Sequence, residues 1–148
     1  MSVSVTVRTF AERSSPYLLG ALRIVSALLF FEHGTGKLFH VPLLHQYDGV
    51  QLFSLAGAAG VIETVGGALL TLGLFSRQAA FIMSGEMAVG YFLFHAPDSL
   101  FPMLNRGDAA VLFCFIFLYI AGAGGGAWAL DNVLRRNSEA VTVHKKPT

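Results

Sequence analysis

The uncharged run Ala109–Leu130 is the feature that most constrains the fold of this chain. A helix needs about 20 apolar residues to cross the hydrocarbon core of a bilayer, and this run is long enough. Hydrophobic residues make up 54% of the chain and charged residues only 13%, whereas a soluble domain carries about a quarter charged. We therefore predict an all-α, integral membrane four-helix transmembrane bundle, with spans at about 16–39, 50–75, 78–96 and 108–130.

The 148 residues leave no room for a soluble catalytic domain beside four spans. We predict a polar N-terminal tail at 1–13, a membrane domain at 14–131 and a charged C-terminal tail at 132–148. Pro16, after two serines, is typical of the first turn of a helix. The apolar run that follows continues to Glu32 without a small-residue cleavage site, which favours a retained first helix over a signal peptide.

The placement of Lys and Arg predicts the orientation. Cytoplasmic segments of membrane proteins carry an excess of these residues. If both termini are cytoplasmic, the outer side holds only Lys37 and Arg106, and the inner side holds Arg8, Arg13, Arg77, Arg135, Arg136, Lys145 and Lys146. The sequence therefore predicts a multi-pass protein of the bacterial inner (plasma) membrane, lying in the lipid bilayer with both termini in the cytoplasm. Tyr17 and Trp128 then fall together at the inner interface, where amphipathic rings are enriched.

Charge and cysteine content exclude several classes of function. A net charge of +1 provides no basic patch for a nucleic-acid partner. Cys114 is the only cysteine, so this chain by itself cannot run a dithiol/disulfide cycle or complete a cysteine-based iron–sulfur or zinc site. We predict no metal site.

Charged residues inside the apolar segments are the first candidate site. Ionised groups at bilayer depth are costly and usually face a bundle interior or a cavity. With a rise of ~1.5 Å per residue, Arg23, Glu63 and Glu86 fall within the inner half of the predicted bundle. We predict that they converge as an intramembrane polar cluster, the candidate catalytic residues, which binds a polar head group or passes protons. A purely structural ion pair between helices is the competing interpretation, because buried ion networks often serve packing alone.

A second candidate group lies toward the outer side and consists of Glu32, His33, Lys37 and His95. The two histidines fall at similar depth, so we expect them to face one another as cofactor-binding residues. Paired histidines can ligate haem, but the spacing carries no further haem signature, and hydrogen bonding or proton exchange is favoured. The glycines before Lys37 lack the spacing of a phosphate-binding loop.

Several motifs in order resemble the DoxX family of small four-helix bacterial membrane proteins. They are Leu22-Arg23, HGTGKLF at 33–39, GVIETVGGALLTLGLFSRQAA at 60–80, MAVGYFLFH at 87–95, Gly107-Asp108 and the closing Trp128-Ala129-Leu130-Asp131. The resemblance implies a protein of the bacterial inner membrane. Some relatives are linked with quinone-coupled oxidation of thiosulfate, as quinol oxidase or thiosulfate:quinone oxidoreductase subunits, and others with complexes that handle oxidative or thiol stress.

Together these features favour a DoxX-like subunit of a respiratory or redox-stress complex. Quinone is the candidate cofactor, and a protein partner would carry the electrons because this chain has no redox motif of its own. Gly122 and Gly126 have the spacing of a close-packing face, within the bundle or in a homo-oligomer. The alternatives are a non-enzymatic membrane scaffold or assembly factor and, with less support because no inverted repeat is visible, a small transporter.

Overall fold

The computed structural model describes the backbone of residues 3–43 and 45–144, with the side chains of residues 9–43, 45 and 47–137. Those residues form six α-helices, a short 3-10 turn (His45–Tyr47) and a π-helical turn (Tyr91–His95). The helices are α1 (Val3–Phe39), α2 (Leu55–Leu72), α3 (Ser76–Gly90), α4 (Pro102–Asn105), α5 (Asp108–Ala123) and α6 (Leu130–His144). No strand occurs in this part of the chain, which confirms the all-α prediction.

Two helix pairs build the molecule. Helix α1 packs along α2, α3 packs along α5, and contacts between α2 and α3 join the pairs. The core where they meet is fully apolar and contains Ala27, Phe30, Leu70, Ala79, Ala80, Met83, Phe117 and Ile120. Within the described residues, two helices are long and apolar enough, by length and composition, to cross a membrane, namely α2 and the part of α1 from Thr9 to Phe39, whereas α5 is apolar but shorter.

Small residues let α1 and α2 approach closely. A Cβ atom built on Gly34 of α1 would lie 2.5 Å from the backbone nitrogen of Thr64, and one on Gly67 of α2 would lie 2.9 Å from Phe31 Cβ. Both distances are shorter than real carbon contacts, so only glycine fits either position. The contact at Gly34 places Lys37, one turn later, against the glutamate of α2.

The first helix is longer than predicted. It begins at Val3 and passes through Pro16, whereas the sequence predicted a tail over 1–13 and a helix start at Pro16. A proline removes one backbone donor, but residues 3–13 contain no glycine or second proline to stop the helix. The far ends of the two predicted tails, residues 1–2 and 145–148, lie outside the described residues.

Helices α2 and α3 also differ from the predicted 50–75 and 78–96. Helix α2 begins after Ser54, whose hydroxyl accepts a hydrogen bond from the Gly57 N–H at 3.1 Å. It ends at Gly73, whose φ of 71° is the left-handed conformation that terminates helices. Helix α3 becomes a π-helical turn at Tyr91, and this turn rotates the final residues of the segment, including His95.

The fourth long helix ends earlier than the predicted 108–130. Helix α5 stops at Ala123, because Gly124 and Gly126 adopt φ angles of 94° and 68°. Gly122 and Gly126 therefore do not share one helical packing face: Gly126 lies outside the helix, where a Cβ would lie 2.7 Å from the Gly20 nitrogen of α1, and a Cβ on Gly122 would meet nothing within 4 Å in this chain. The predicted C-terminal tail is mostly helical, as α6.

The beginning of α1 and the segment after α5 lie at the same end of the molecule. The Ala127 N–H donates to the Pro16 carbonyl at 2.7 Å. The rings of Tyr17 and Trp128 meet edge to face with centroids 5.6 Å apart, so the predicted proximity of these two residues is confirmed.

Candidate functional site

An ion pair between α1 and α2 is the centre of the candidate site. Lys37 Nζ lies 2.6 Å from Glu63 Oε1, and only 2% of the Glu63 side chain is exposed. Lys37 also lies 5.4 Å from the centre of the Tyr47 ring, close enough for a cation–π contact. Within the described part of the chain, no donor reaches Glu63 Oε2, so this oxygen retains its capacity to accept a hydrogen bond or a proton.

The ion pair lies in the wall of a cavity of about 350 Å³, which we name the polar chamber. All four long helices contribute to its lining, and so do the residues just before α5. The lining residues are Phe30, His33, Lys37, Tyr47, Glu63, Met87, His95, Arg106, Ala109, Ala110 and Phe113. The chamber thus combines cationic, anionic and imidazole groups with an apolar remainder, as sites for small organic molecules do.

In both histidines, Nδ1 is used in a hydrogen bond to a main-chain carbonyl, which leaves Nε2 as the acceptor. His33 Nδ1 lies 2.8 Å from the Leu29 carbonyl oxygen, and His95 Nδ1 lies 3.1 Å from the Asn105 carbonyl oxygen. Because a carbonyl only accepts, each Nδ1 carries the proton, and Nε2 of a neutral ring is then the acceptor. Both rings line the chamber, although neither Nδ1 bonds to the other histidine.

Glu86 lines a second cavity of about 440 Å³ next to the polar chamber, which we name the side chamber. Lys37, Tyr47, Met87, His95 and Ala110 border both cavities, so Lys37 has the Glu63 carboxylate on one side and opens toward the Glu86 cavity on the other. Glu86 Oε2 is buried and, among the described residues, has no hydrogen-bond donor.

The loop after the π-helical turn is fixed by a buried asparagine. Asn105 Nδ2 donates to the Ser99 carbonyl at 2.6 Å, and Asn105 Oδ1 accepts from the Gly107 N–H at 2.7 Å. The Tyr91 hydroxyl donates to the Leu100 carbonyl at 2.9 Å. These bonds hold the segment that carries Arg106, which lines the polar chamber. Asn105 was not among the predicted site residues, because its burial and hydrogen bonds become visible only in the folded chain.

Arg23 is not part of this site. It is fully buried, but its guanidinium donates to backbone carbonyls: Nε to Gly125 at 2.7 Å, and Nη1 to Leu70 and, at 2.7 Å, to Thr71. Leu70 follows Glu63 by about 10 Å along α2. The predicted convergence of Arg23 with Glu63 and Glu86 is therefore wrong. The last carbonyls of a helix have no partner within it, and the long arginine side chain extends to them.

Glu32 also lies outside both chambers, on the exposed side of α1. The structure thus divides the two predicted groups differently. Glu63, His33, Lys37 and His95 line the polar chamber, and Glu86 lines the side chamber, which shares Lys37 and His95 with it. Arg23 and Glu32 line neither chamber.

At the opposite end of the bundle, Asp131 closes the turn between α2 and α3. Its carboxylate accepts hydrogen bonds at 2.8 Å from both the Phe75 N–H and the Ser76 N–H, where α3 begins. Burial alone would raise the pKa of Asp131, but these hydrogen bonds and the charge of Arg23 outweigh it and hold the pKa below its usual value. This carboxylate is structural, because it occupies the amide groups that it faces.

Comparison with known sequences identifies the family. The DoxX family profile matches residues 18–96, which include Lys37, Glu63, Glu86 and His95. The chain belongs to the DoxX family. It is therefore a membrane protein, and the resemblance inferred from its motifs is confirmed.

A Haemophilus influenzae protein (strain Rd) is 46% identical to this DoxX chain over 125 residues. The match covers 82% of this chain and 93% of that relative, which is described as an uncharacterized protein. No solved structure matches the chain.

Proposed function

We propose that this DoxX protein binds the head group of a quinone in the polar chamber, as the membrane subunit of a respiratory or redox-stress complex. The supporting observation is the Lys37–Glu63 pair in the wall of a chamber of mixed polarity, in which one oxygen of the buried carboxylate has no hydrogen-bond donor among the described residues. A quinone ring is apolar and flat, with two carbonyl oxygens that accept hydrogen bonds and, as quinol, two hydroxyls that donate them. The chamber offers partners for both states.

Each side chain has a defined part in this proposal. The Lys37 ammonium donates a hydrogen bond to a ring oxygen. Glu63 Oε2 accepts a proton when a quinol is oxidised and returns one when a quinone is reduced. His95 Nε2 accepts a hydrogen bond from the second ring hydroxyl, takes its proton when the quinol is oxidised and returns it when the quinone is reduced. Oxidation of a quinol releases two protons and two electrons, and the electrons pass to a partner protein, because this chain carries no redox motif of its own.

Quinone binding by purified protein in lipid nanodiscs tests the proposal. We expect native quinone to co-purify, and a tritium-labelled benzoquinone to bind saturably. Glu63→Gln and Lys37→Met should each weaken binding by about tenfold or more, since loss of a hydrogen bond to a charged group costs about 1.5–3 kcal/mol. Glu32→Gln is the matched control, because it removes an exposed carboxylate from the same helix as Lys37 and should leave binding unchanged.

Two results would refute the proposal. One is the absence of any saturable quinone binding by the unmodified protein. The other is unchanged binding in both Glu63→Gln and Lys37→Met, accompanied by reduced thermal stability. The second result would favour the alternative, a non-enzymatic scaffold or assembly factor. The hydrogen bonds of Arg23, all to main-chain carbonyls, already follow that purely structural pattern.

The proposed setting is the bacterial inner membrane, with four spans formed by α1, α2, α3 with its π-helical turn, and α5. Many large apolar side chains are exposed on these helices, as expected for surfaces that contact lipid; Leu28, Leu29, Val61, Phe81, Phe92 and Phe115 are examples. The contact between Pro16 and Ala127 supports an even number of spans, and the Lys and Arg distribution supports cytoplasmic termini.

A further inference from the structure

An apolar groove runs along the outside of the molecule between α2 and α3. Its upper part, which begins at Leu55 and contains Glu86, has a volume of about 280 Å³. Its lower part, which ends at Leu69, has a volume of about 240 Å³. Ile62 of α2 and Ile82 of α3 line both parts, so the groove is continuous. Its walls extend from Leu55 to Leu69 on α2, which corresponds to about 21 Å of helix. This length suits an extended hydrocarbon chain better than a compact solute.

The upper end of the groove opens into the side chamber beside Lys37. Ala59, Glu86, Gly90 and Phe94 line both the groove and that chamber. The side chamber in turn shares Lys37 and His95 with the polar chamber. An apolar path thus leads from the face of α2 and α3 to the proposed head-group site.

Glycine keeps the groove open. A Cβ atom on Gly85 or Gly90 would meet nothing within 4 Å, so packing within the described chain requires neither glycine. Both cost helix stability, by roughly 0.5–1 kcal/mol each relative to alanine. Gly66 differs, because its Cβ would lie 2.8 Å from Met83 Sδ and packing excludes it.

The charges at the upper end select the kind of ligand. Lys37 is neutralised by Glu63, and Glu86 adds a second carboxyl at the junction with the groove. A phospholipid phosphate would meet an acidic group there and no unpaired cation among the residues that line the groove. An uncharged head group with a single apolar tail is complementary to both ends of the path.

We infer that the groove between α2 and α3 holds the isoprenoid tail of a polyprenyl quinone whose head group occupies the polar chamber. The inference rests on the proposed function, because it assigns a tail site to the same ligand. Ala58 of α2 and Gly85 of α3 both line the upper groove and are both exposed. A larger side chain at either position fills the groove without displacing a core residue.

Two labelled probes separate the tail from the head group: a benzoquinone ring without a tail, and the same ring with a decyl tail. In nanodiscs, Gly85→Leu and Ala58→Leu should weaken binding of the decyl compound by about tenfold or more, because several buried CH₂ groups lose their site. Binding of the tail-less ring should stay within twofold. Gly122→Leu, at an exposed glycine of α5 that also has open space, should change neither.

The outcomes distinguish the two proposals. If the unmodified protein binds neither probe, the proposed function fails. If it binds both, and Gly85→Leu and Ala58→Leu bind the decyl compound normally or lose both probes equally, the groove is not a tail site and the inference is overturned. Retention of a phospholipid by the unmodified protein and its loss from Gly85→Leu, seen by native mass spectrometry, would also overturn it.

Discussion

Single residues set the position of the Lys37–Glu63 pair. Gly34 lets α1 approach the backbone of α2 at Thr64, and Lys37 is one turn further along the same helix. Gly60, on the same face of α2, has Lys37 Cβ only 3.1 Å from the position that its own Cβ would take. Gly34, the first of the two glycines before Lys37, therefore belongs to helix packing.

Substitution of Gly34 by alanine tests this packing. We expect Gly34→Ala to lower the free energy of unfolding by about 1–3 kcal/mol, because the new Cβ would overlap backbone atoms that cannot move aside. Thermal unfolding of the detergent-solubilised protein measures the effect. Gly85→Ala, the same substitution at an open helical position, should be neutral or slightly stabilising. Equal loss in both variants would contradict the packing argument.

We expect the stability of the protein to depend on pH through the carboxylate of Asp131. Its pKa is below the usual value in the folded protein, so its contribution is present above about pH 4 and is lost as pH falls through the lower folded-state pKa. Asp131→Asn should therefore lower the melting temperature at about pH 7, and the difference from the unmodified protein should shrink toward about pH 3. A difference that stays constant over this range would show that the charge is unimportant.

At the scale of elements, the carboxyl end of α2 depends on α1 and on the segment after α5. Arg23 joins the three, with donors to Leu70, Thr71 and Gly125. Its role is to satisfy carbonyls that the helix leaves without partners. The bond to Gly125 holds the segment after α5, and Arg77 of α3 donates to the Ala121, Gly122 and Ala123 carbonyls in the last turn of α5.

Substitution of Arg23 separates structure from binding. Arg23→Met should lower stability by about 1–3 kcal/mol or more, because buried carbonyls lose their donors, while quinone binding below the melting temperature stays normal. Arg23→Lys should recover only part of the stability, since an ammonium lacks the planar fork that contacts several carbonyls together. A normal melting temperature with lost quinone binding would instead return Arg23 to the functional site.

For the whole molecule, the proposed topology is tested by cysteine labelling of intact cells. In a Cys114→Ala background, a membrane-impermeant maleimide should label Asp98→Cys, in the exposed loop between α3 and α4, without permeabilisation. Arg136→Cys, on the exposed part of α6, should be labelled only after the inner membrane is opened. Labelling of both from outside, or the reverse order, would contradict the cytoplasmic placement of the C-terminus.

The sequence alone determined the helical class, the membrane environment and the family, because these follow from apolar run length, low charge content and ordered motifs. It also identified most of the polar candidates, since charged residues within apolar runs are visible without a structure. Helix ends were less predictable. Gly124 and Gly126 lie within the uncharged run that predicted a helix to residue 130, and only their positive φ angles show that the helix ends before them.

Only the tertiary structure decided which charges meet. Depth along each helix, the one coordinate that the sequence supplies, placed Arg23 with Glu63 and Glu86. Depth says nothing about the direction of a long side chain or about helix rotation, and Arg23 turns to the carbonyls of α2 while Lys37 takes the carboxylate of Glu63. Close approach at glycines and free carbonyls at helix ends, which are properties of the packed bundle, made that choice.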